Sequence, residues 1–386
     1  VQRFYFDHNA TTPIAPEVQE TLVLCLGQVY GNASSIHYFG QGAKRQLEAA
    51  RRQIASLIHA SPGEVIFTSG GTESDNMAVL GVARASANAS ASRHVISSSI
   101  EHPAVLGPCM QLQREGADIT LLRCGASGIV DPDDVRKALR SDTVLVSVMH
   151  ANNELGTIQP IAEISRITRE AGVPLHVDGV QALGKIAVDV DALGVDLYSM
   201  SGHKLYAPKG VGALYIRKGT RMAPIAFGGH HERDRRAGTE NVPSAAAFGA
   251  AAELAAGRLA EESERLRALR DRLERRVLES IPDTGINGDR GNRVPNTSNI
   301  YFDGIDGEAL VIALDLRGFA VSTGAACSSG ALTPSHVLTA IGLSADRARA
   351  SMRFSLGHGN TAEQVDALVD ALGASMMHLR RISVHA

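Results

Sequence analysis

Between about residue 45 and residue 216 the chain alternates between two hydrophobic rhythms. Gln46 to His59 sets Leu47, Ala50, Ile54, Leu57 and Ile58 on one face of a helix. Val65-Ile-Phe67 then forms a short, wholly apolar run. Similar runs stand at His94–Ser97, Ile119–Leu122, Val144–Val148, Leu175–Val177, Leu197–Ser199 and Val211–Ile216, with helical patterns at 103–115, 132–140 and 161–171 between most of them. Strands that are apolar throughout are expected where both faces of a sheet are covered. The pattern predicts an α/β architecture with a large, mostly parallel-sheet domain. In such folds ligands sit beyond the carboxyl ends of the strands.

After about residue 245 the texture changes. A long charged helix over 245–280 precedes Ser298–Phe302, a helix near 306–317, a small-residue loop around Cys327 and a last helix near 361–380. The alternating charges of the long helix read as a solvated face. These elements predict a smaller α+β domain joined by the N-terminal strand. The expected division is 15–250 for the large domain, and 1–14 with 251–386 for the small one carrying the cysteine loop.

Composition narrows the function classes. With 386 residues, 44% of them hydrophobic and 20% charged, the chain can bury a large core. A net charge of −3 and the lack of a basic patch argue against direct nucleic-acid binding and against an anionic membrane surface. No apolar run is long enough to suggest a membrane span. Val1 to Asp7 reads as a strand, not a signal peptide. Cys25, Cys109, Cys124 and Cys327 show no CxxC spacing, which points to free thiols in a reducing cytoplasm. No histidine–cysteine spacing suggests a metal.

The candidate chemistry begins with "SGHKLYAPKG" (201–210). Lys204 follows a strand and precedes a glycine-rich turn, a position half surrounded by protein, where lysines are rare unless paired or chemically used. Asp178 and Gln181 lie just past the preceding strand, in "HVDGVQALGK". Pyridoxal phosphate needs such a pair: a lysine for its aldehyde and an acid for its ring nitrogen. On those two residues alone a structural salt bridge is the simpler reading. "FTSGGTESDN" (67–76) adds a strand, a glycine turn and a helix start, where Gly71, Thr72 and, from the next element, Ser201 could hold a phosphate. Glu73 and Asp75 there equally suit a bare helix dipole. His102, in "SIEHPAV", has two readings: a polar loop residue, or a group at a strand end that takes part in chemistry.

"HVDGVQALGK" and "SGHKLYAPKG" closely resemble the cysteine desulfurases, pyridoxal-phosphate enzymes of the class V aminotransferase group. The likeness extends through "DHNATTPIAPEV", "GNASSIH", "FTSGGTESDN", "HANNELG", "GGHHERDRRAGTEN", "STGAACSSG" and "RFSLG". The short cysteine loop and "RRAGTEN" look like the branch that holds the nitrogen-fixation and iron–sulfur-cluster housekeeping enzymes. The resemblance implies a fold type I, aspartate aminotransferase-like transferase. It implies that Lys204 binds the cofactor as a Schiff base and moves protons. Asp178 pairs with the ring nitrogen, and Gln181 and Asn153 meet the ring's phenolic oxygen, Asn153 also the substrate. His102 stacks on the ring and acts as an acid–base group. Gly71, Thr72, Ser201 and His203 hold the phosphate. Thr239 reaches the phosphate of a partner subunit, which implies a homodimer. Arg353 clamps the carboxylate of L-cysteine, a task suited to a guanidinium.

Cys25 and Cys109 fall in helical patterns and Cys124 ends a strand, so each reads as a buried small hydrophobe. Cys327 lies in "STGAACSSGALTP", a run of small residues that suits an accessible thiol. By resemblance it takes sulfur from cysteine as a persulfide, leaves alanine, and passes the sulfur to an acceptor protein, a cluster scaffold or a thiolation enzyme. Selenocysteine cleavage or another pyridoxal-phosphate reaction on this fold, and a sulfur-relay protein active only with an accessory subunit, are the alternatives. Two departures stand out. Ala207 replaces the family's usual glycine, where a methyl group could alter the turn. The sequence also stops soon after Arg353, whereas some members dock a scaffold through a longer C-terminal extension, so that partner is left open.

Overall fold

The computed structural model describes residues 2–86, 93–323 and 334–383. Its centre is a seven-stranded sheet in the order Val65–Thr68, Gly212–Ile216, Leu197–Ser201, Leu175–Asp178, Thr143–Met149, His94–Ser98 and Asp118–Leu122. All neighbours run parallel except around Gly212–Ile216, which is antiparallel to both of its partners. The apolar runs of the sequence become these strands because both faces are covered. Val65 and Phe67 enter one core while Ile66 enters another; Val146 and Val148 divide from Leu145 in the same way. Each residue of such a strand buries its side chain, whichever face it points to.

The register lines up the strand ends. Asp178 stands opposite Ser199, and Ser201 opposite Gly212, which in turn faces Thr68. The glycine turn beyond Thr68 is tight. Gly70 has φ 154 and caps the helix Gly71–Ala85, and a methyl group on Gly212 would stand 2.6 Å from the Gly70 Cα.

A second core is built from Phe6, Leu269, Leu273, Val277, Phe302, Leu314, Phe354, Leu368 and their neighbours. It packs against an antiparallel sheet of Ser351–Ser355, Thr297–Phe302 and Thr284–Ile286. The 39-residue helix Val242–Ser280 belongs to both cores: Phe248 and Ala251 enter the larger one, Leu273 and Val277 the second. Val337, Leu338 and Ile341 also pack into the larger core.

The N-terminal segment differs from the long strand expected of residues 1–7. Only Phe4–Tyr5 forms a strand, parallel to Phe319–Ala320. Beyond it Asp7 makes a single bridge to Ser355, and the chain crosses the large sheet's edge, where Thr12 N–H donates to the His203 carbonyl at 2.9 Å. Its polar groups are met by neighbouring elements, not by a ladder. Cys25, Cys109 and Cys124 are free and buried. Among the described residues no helix is long and apolar enough to cross a membrane.

Candidate active site

A cavity of about 310 Å³ opens at the carboxyl ends of the central strands. Gly71, Thr72, His102, Asn153, Asp178, Gln181, Ser201, His203, Lys204 and Arg353 all line it. Residues far apart in sequence meet here because parallel strands with helical crossovers bring their carboxyl ends to one edge. Thr239 is exposed and does not line this chain's cavity. Cys327 lies outside the described residues.

Lys204 ends a short 3-10 turn, Gly202–Lys204, directly after the strand Leu197–Ser201. Its Nζ donates to the backbone carbonyls of Asn9 at 2.6 Å and Ala10 at 2.5 Å. Asp178 is buried at the end of the neighbouring strand, where its Oδ1 accepts from Val180 N–H at 3.0 Å. It makes no salt bridge among the described residues, so the simple Asp178–Lys204 pair is not what the structure contains. Burial, and then the Asp75 carboxyl, push the Asp178 carboxyl well up from its usual range. A buried acid of this kind is relieved by a hydrogen-bonded cation.

His102 caps the helix Pro103–Arg114, its Nδ1 accepting from Ala104 N–H at 3.1 Å. Burial holds its pKa below the ordinary histidine value, with Lys204 and His336 adding to the effect and Asp178 opposing it. The ring is therefore neutral near pH 7, and only Nε2 is left to exchange a proton with the cavity. His203 leans on Thr11, with Nδ1 and Oγ1 at 3.1 Å; burial and then Lys204 bring it down to about 4.

Arg353 is buried on the strand Ser351–Ser355. Nη2 donates to Asp7 Oδ1 at 2.7 Å and Nη1 to the Asn153 carbonyl at 3.2 Å, while Nε, itself enclosed, has no hydrogen-bond partner among the described residues. A guanidinium lining the cavity fits a small carboxylate.

The helix start departs from a bare dipole arrangement. Glu73 accepts from Ser69 N–H at 2.5 Å and from Arg236 Nε at 2.9 Å. Asp75 points inward, 1% exposed, with Oδ1 3.5 Å from His176 Nε2. Gly71 is packed so closely that a Cβ would stand 2.8 Å from Val180 Cγ2. Ala207 is buried with an ordinary φ; the left-handed angle in this turn falls on Tyr206, at φ 61, so the methyl group is accommodated.

Asn9 and Ala10 line this site without having been assigned a role from the sequence, and Asp75, read there as suiting the helix dipole, lines it too. Asn9 is a junction. Its Nδ2 donates to the Asn153 carbonyl and to Thr297 Oγ1, its Oδ1 accepts from Asn296 and Lys185, and its carbonyl accepts from Gln181 and Lys204. Among the described residues no group of three or more histidine, cysteine or carboxylate side chains could hold a metal.

The donor set suits pyridoxal phosphate: an amine held by carbonyls, a buried carboxyl without a cation, a helix N-terminus flanked by hydroxyls, and a cavity of suitable size. Comparison with known proteins points the same way. The aminotransferase class-V family model matches residues 4–368. A cysteine desulfurase IscS of Dictyoglomus turgidum is 50% identical over 379 residues, covering 98% of this chain and 96% of the relative. A cysteine desulfurase IscS of Methanosarcina thermophila is 46% identical over 379 residues, covering 98% and 93%. Among solved structures, a NifS-like protein superposes with TM-score 0.92 at 35% identity, covering 98% of this chain and 100% of that one. The structure described as SspA in complex with cysteine superposes with TM-score 0.82 at 36% identity, covering 91% and 98%. The chain belongs to the aminotransferase class-V family, among its cysteine desulfurases, which use pyridoxal phosphate.

Proposed function

We propose that this protein converts L-cysteine to L-alanine and carries the released sulfur on Cys327 as a persulfide for an acceptor protein. The observation that carries the reading is the Lys204 amine and the buried Asp178 carboxyl facing one cavity from adjacent strands. A relative solved with cysteine bound, similar over nine-tenths of this chain, supports the substrate.

Pyridoxal phosphate, when bound, supplies an electron sink that weakens the Cα–H and Cβ–S bonds of the substrate. The chain's own residues do the rest. Lys204 anchors the cofactor and shuttles the α-proton. Asp178 would face the ring nitrogen; a pyridinium beside it would favour the ionised carboxylate, and that carboxylate in turn would keep the nitrogen protonated. Gly71, Thr72, Ser201 and His203 hold the phosphate, with Gly71 letting the helix start pack against Val180. Gln181 and Asn153 address the phenolic oxygen. His102 presents Nε2 as the acid–base group, its Nδ1 being committed to the helix cap. Arg353 takes the substrate carboxylate; its place in the cavity lining supports that role.

Sulfur transfer balances without an external oxidant. The Cys327 thiolate attacks the substrate sulfur, an S–S bond forms and the Cβ–S bond breaks. The electron pair stays with the carbon, which takes a proton and becomes the methyl group of alanine.

The functional unit is a homodimer in which Thr239 serves the partner's phosphate site. Exposed apolar side chains support a second copy: Tyr30, Ile36 and Tyr38 after the helix Pro16–Gln28, and Phe227 in the loop that leads to Thr239. Free buried thiols fit work in the reducing cytoplasm.

Alanine and sulfide release from L-cysteine with a reductant, on wild type and Cys327→Ser, tests the reading. Wild type is expected to make both products. Cys327→Ser is expected to keep the cofactor absorbance and make neither. A wild type that binds cofactor and yields no alanine refutes the activity.

A further inference from the structure

Lys185 is the unexplained charge of this region. It is buried, it makes no ion pair with a carboxylate among the described residues, and its neighbours are cations. Lys204 and Arg353 repel it, and it in turn acts on His8 of the N-terminal segment; Asp75, Asp178, His102 and His203 are the other titratable groups lining the adjoining cavity, and Tyr206, Arg258, Glu262 and His358 line, with Lys185 and His8, the cavity on its other side. Burying a lysine beside two cations is costly, so the position needs a compensating role.

The hydrogen bonds indicate one. Lys185 Nζ donates to Gln181 Oε1 at 2.5 Å and to Asn9 Oδ1 at 2.9 Å. Gln181 Nε2 donates to the Asn9 carbonyl at 3.0 Å, the same oxygen that accepts from Lys204 at 2.6 Å. A glutamine amide can flip, and only its partners decide which end points where. The flipped arrangement would set the amide oxygen against the Asn9 carbonyl oxygen and take from Lys185 the acceptor its Nζ donates to. The amide is thus held with its oxygen away from the cavity and its second N–H available to it.

We propose that Lys185 is a positioning residue that makes Gln181 a hydrogen-bond donor toward the phenolic oxygen of the cofactor. The inference rests on the proposed placement of that oxygen beside Gln181. A donor there stabilises the ionised phenolic oxygen, which then holds the proton of the lysine–cofactor linkage less tightly. Lys185 needs no contact with cofactor or substrate to do this. Burial and the nearby Lys204 and Arg353 cations hold its own ammonium well below the usual lysine range, consistent with a donor valued for direction more than for charge.

The test is the pH-dependent absorbance of the bound cofactor in holoenzyme, measured for wild type, Lys185→Met, Gln181→Ala and the double variant. Lys185→Met and Gln181→Ala are each expected to raise the midpoint by about one pH unit, and the double variant by no more than the larger single shift. Shifts that add show that Lys185 acts on Lys204 through charge alone and overturn the proposal. An unshifted Lys185→Met beside a shifted Gln181→Ala also overturns it, while leaving the placement of Gln181 intact. An unshifted Gln181→Ala removes both. If Lys185→Met does not fold, Gln181→Glu replaces it: Lys185 then grips a carboxylate, no N–H faces the cavity, and the midpoint must rise at least as far as in Gln181→Ala. A wild-type midpoint in Gln181→Glu refutes the donor role.

Discussion

Arg353 and Asp7 join the two ends of the chain at the site: Arg353 Nη2 donates to Asp7 Oδ1 at 2.7 Å, with the guanidinium 3% exposed and the carboxylate 17% exposed. The contact fixes the guanidinium plane, so that Nη1 rests on the Asn153 carbonyl and the group lines the cavity. Arg353→Lys keeps the charge and loses the planar fork. It is expected to raise KM for L-cysteine by at least about ten-fold, the scale of one charged hydrogen bond, with the cofactor spectrum unchanged. Steady-state kinetics beside an absorbance scan checks it. Equal KM values would remove Arg353 from the substrate site.

Arg51 and Glu232 form a buried bidentate pair at 2.7 and 2.8 Å, and Glu232 also accepts from Phe67 N–H at 2.9 Å. The carboxylate thus ties the loop before Thr239 to the strand that feeds the glycine turn. Glu232→Gln leaves buried Arg51 without its bidentate partner, with only the half-exposed Glu48 carboxylate at 3.1 Å from Nε as counter-charge. A loss of about 3–5 kcal/mol is expected, read as a lower denaturation midpoint, with weaker cofactor retention following from the loosened strand. A loss of a few tenths would mean that the pair is dispensable.

Glu101 is buried with Oε1 held by Ser98 Oγ at 2.5 Å and Met149 N–H at 3.0 Å, while Oε2 has no hydrogen-bond partner among the described residues. Burial pushes its carboxyl up to about 8, so the folded protein holds a proton that the unfolded chain has released above the normal carboxylate range. Stability from this group is therefore full at low pH and is lost as pH rises toward 8. His150 and His176, brought down to about 4 by burial, act in the opposite sense, but only below the ordinary histidine pKa. Between about pH 6.5 and 8 the carboxyl effect stands alone among these three. Glu101→Gln is expected to flatten the decline of melting temperature over that window. Parallel curves for variant and wild type would refute a protonated Glu101.

Gly71 carries the tightest packing at the proposed phosphate position. Gly71→Ala places a methyl group 2.8 Å from Val180 Cγ2, closer than real contacts allow, so the helix start or the Asp178–Gln181 turn must shift. A lower affinity for pyridoxal phosphate is expected, with partial recovery in Gly71→Ala/Val180→Ala. Cofactor titration of the two variants decides it. No recovery would mean that the glycine serves backbone approach to the phosphate and not packing against Val180.

The sequence by itself determined a large part of this protein. Largely apolar runs marked the seven central strands to within a residue or two, because a sheet covered on both faces buries successive side chains; Val65, Ile66 and Phe67 are all buried in consequence, while the edge strand Asp118–Leu122 stays partly exposed. Strand ends followed by Asp178 and Lys204 then marked the site, since parallel strands deliver their carboxyl ends to one edge. The short reach of Phe4–Tyr5 was not legible: an apolar N-terminus reads as a strand whether or not a ladder partner continues beside it. Nor was the fate of Asp75, which sequence spacing puts in a helix's first turn and tertiary packing turns toward His176. Asn9 and Lys185 were invisible for the same reason. Lys185 meets Gln181 only four positions away, but both are tied to Asn9 more than 170 positions away, and no local pattern encodes a partner that only the folded chain brings within about 3 Å.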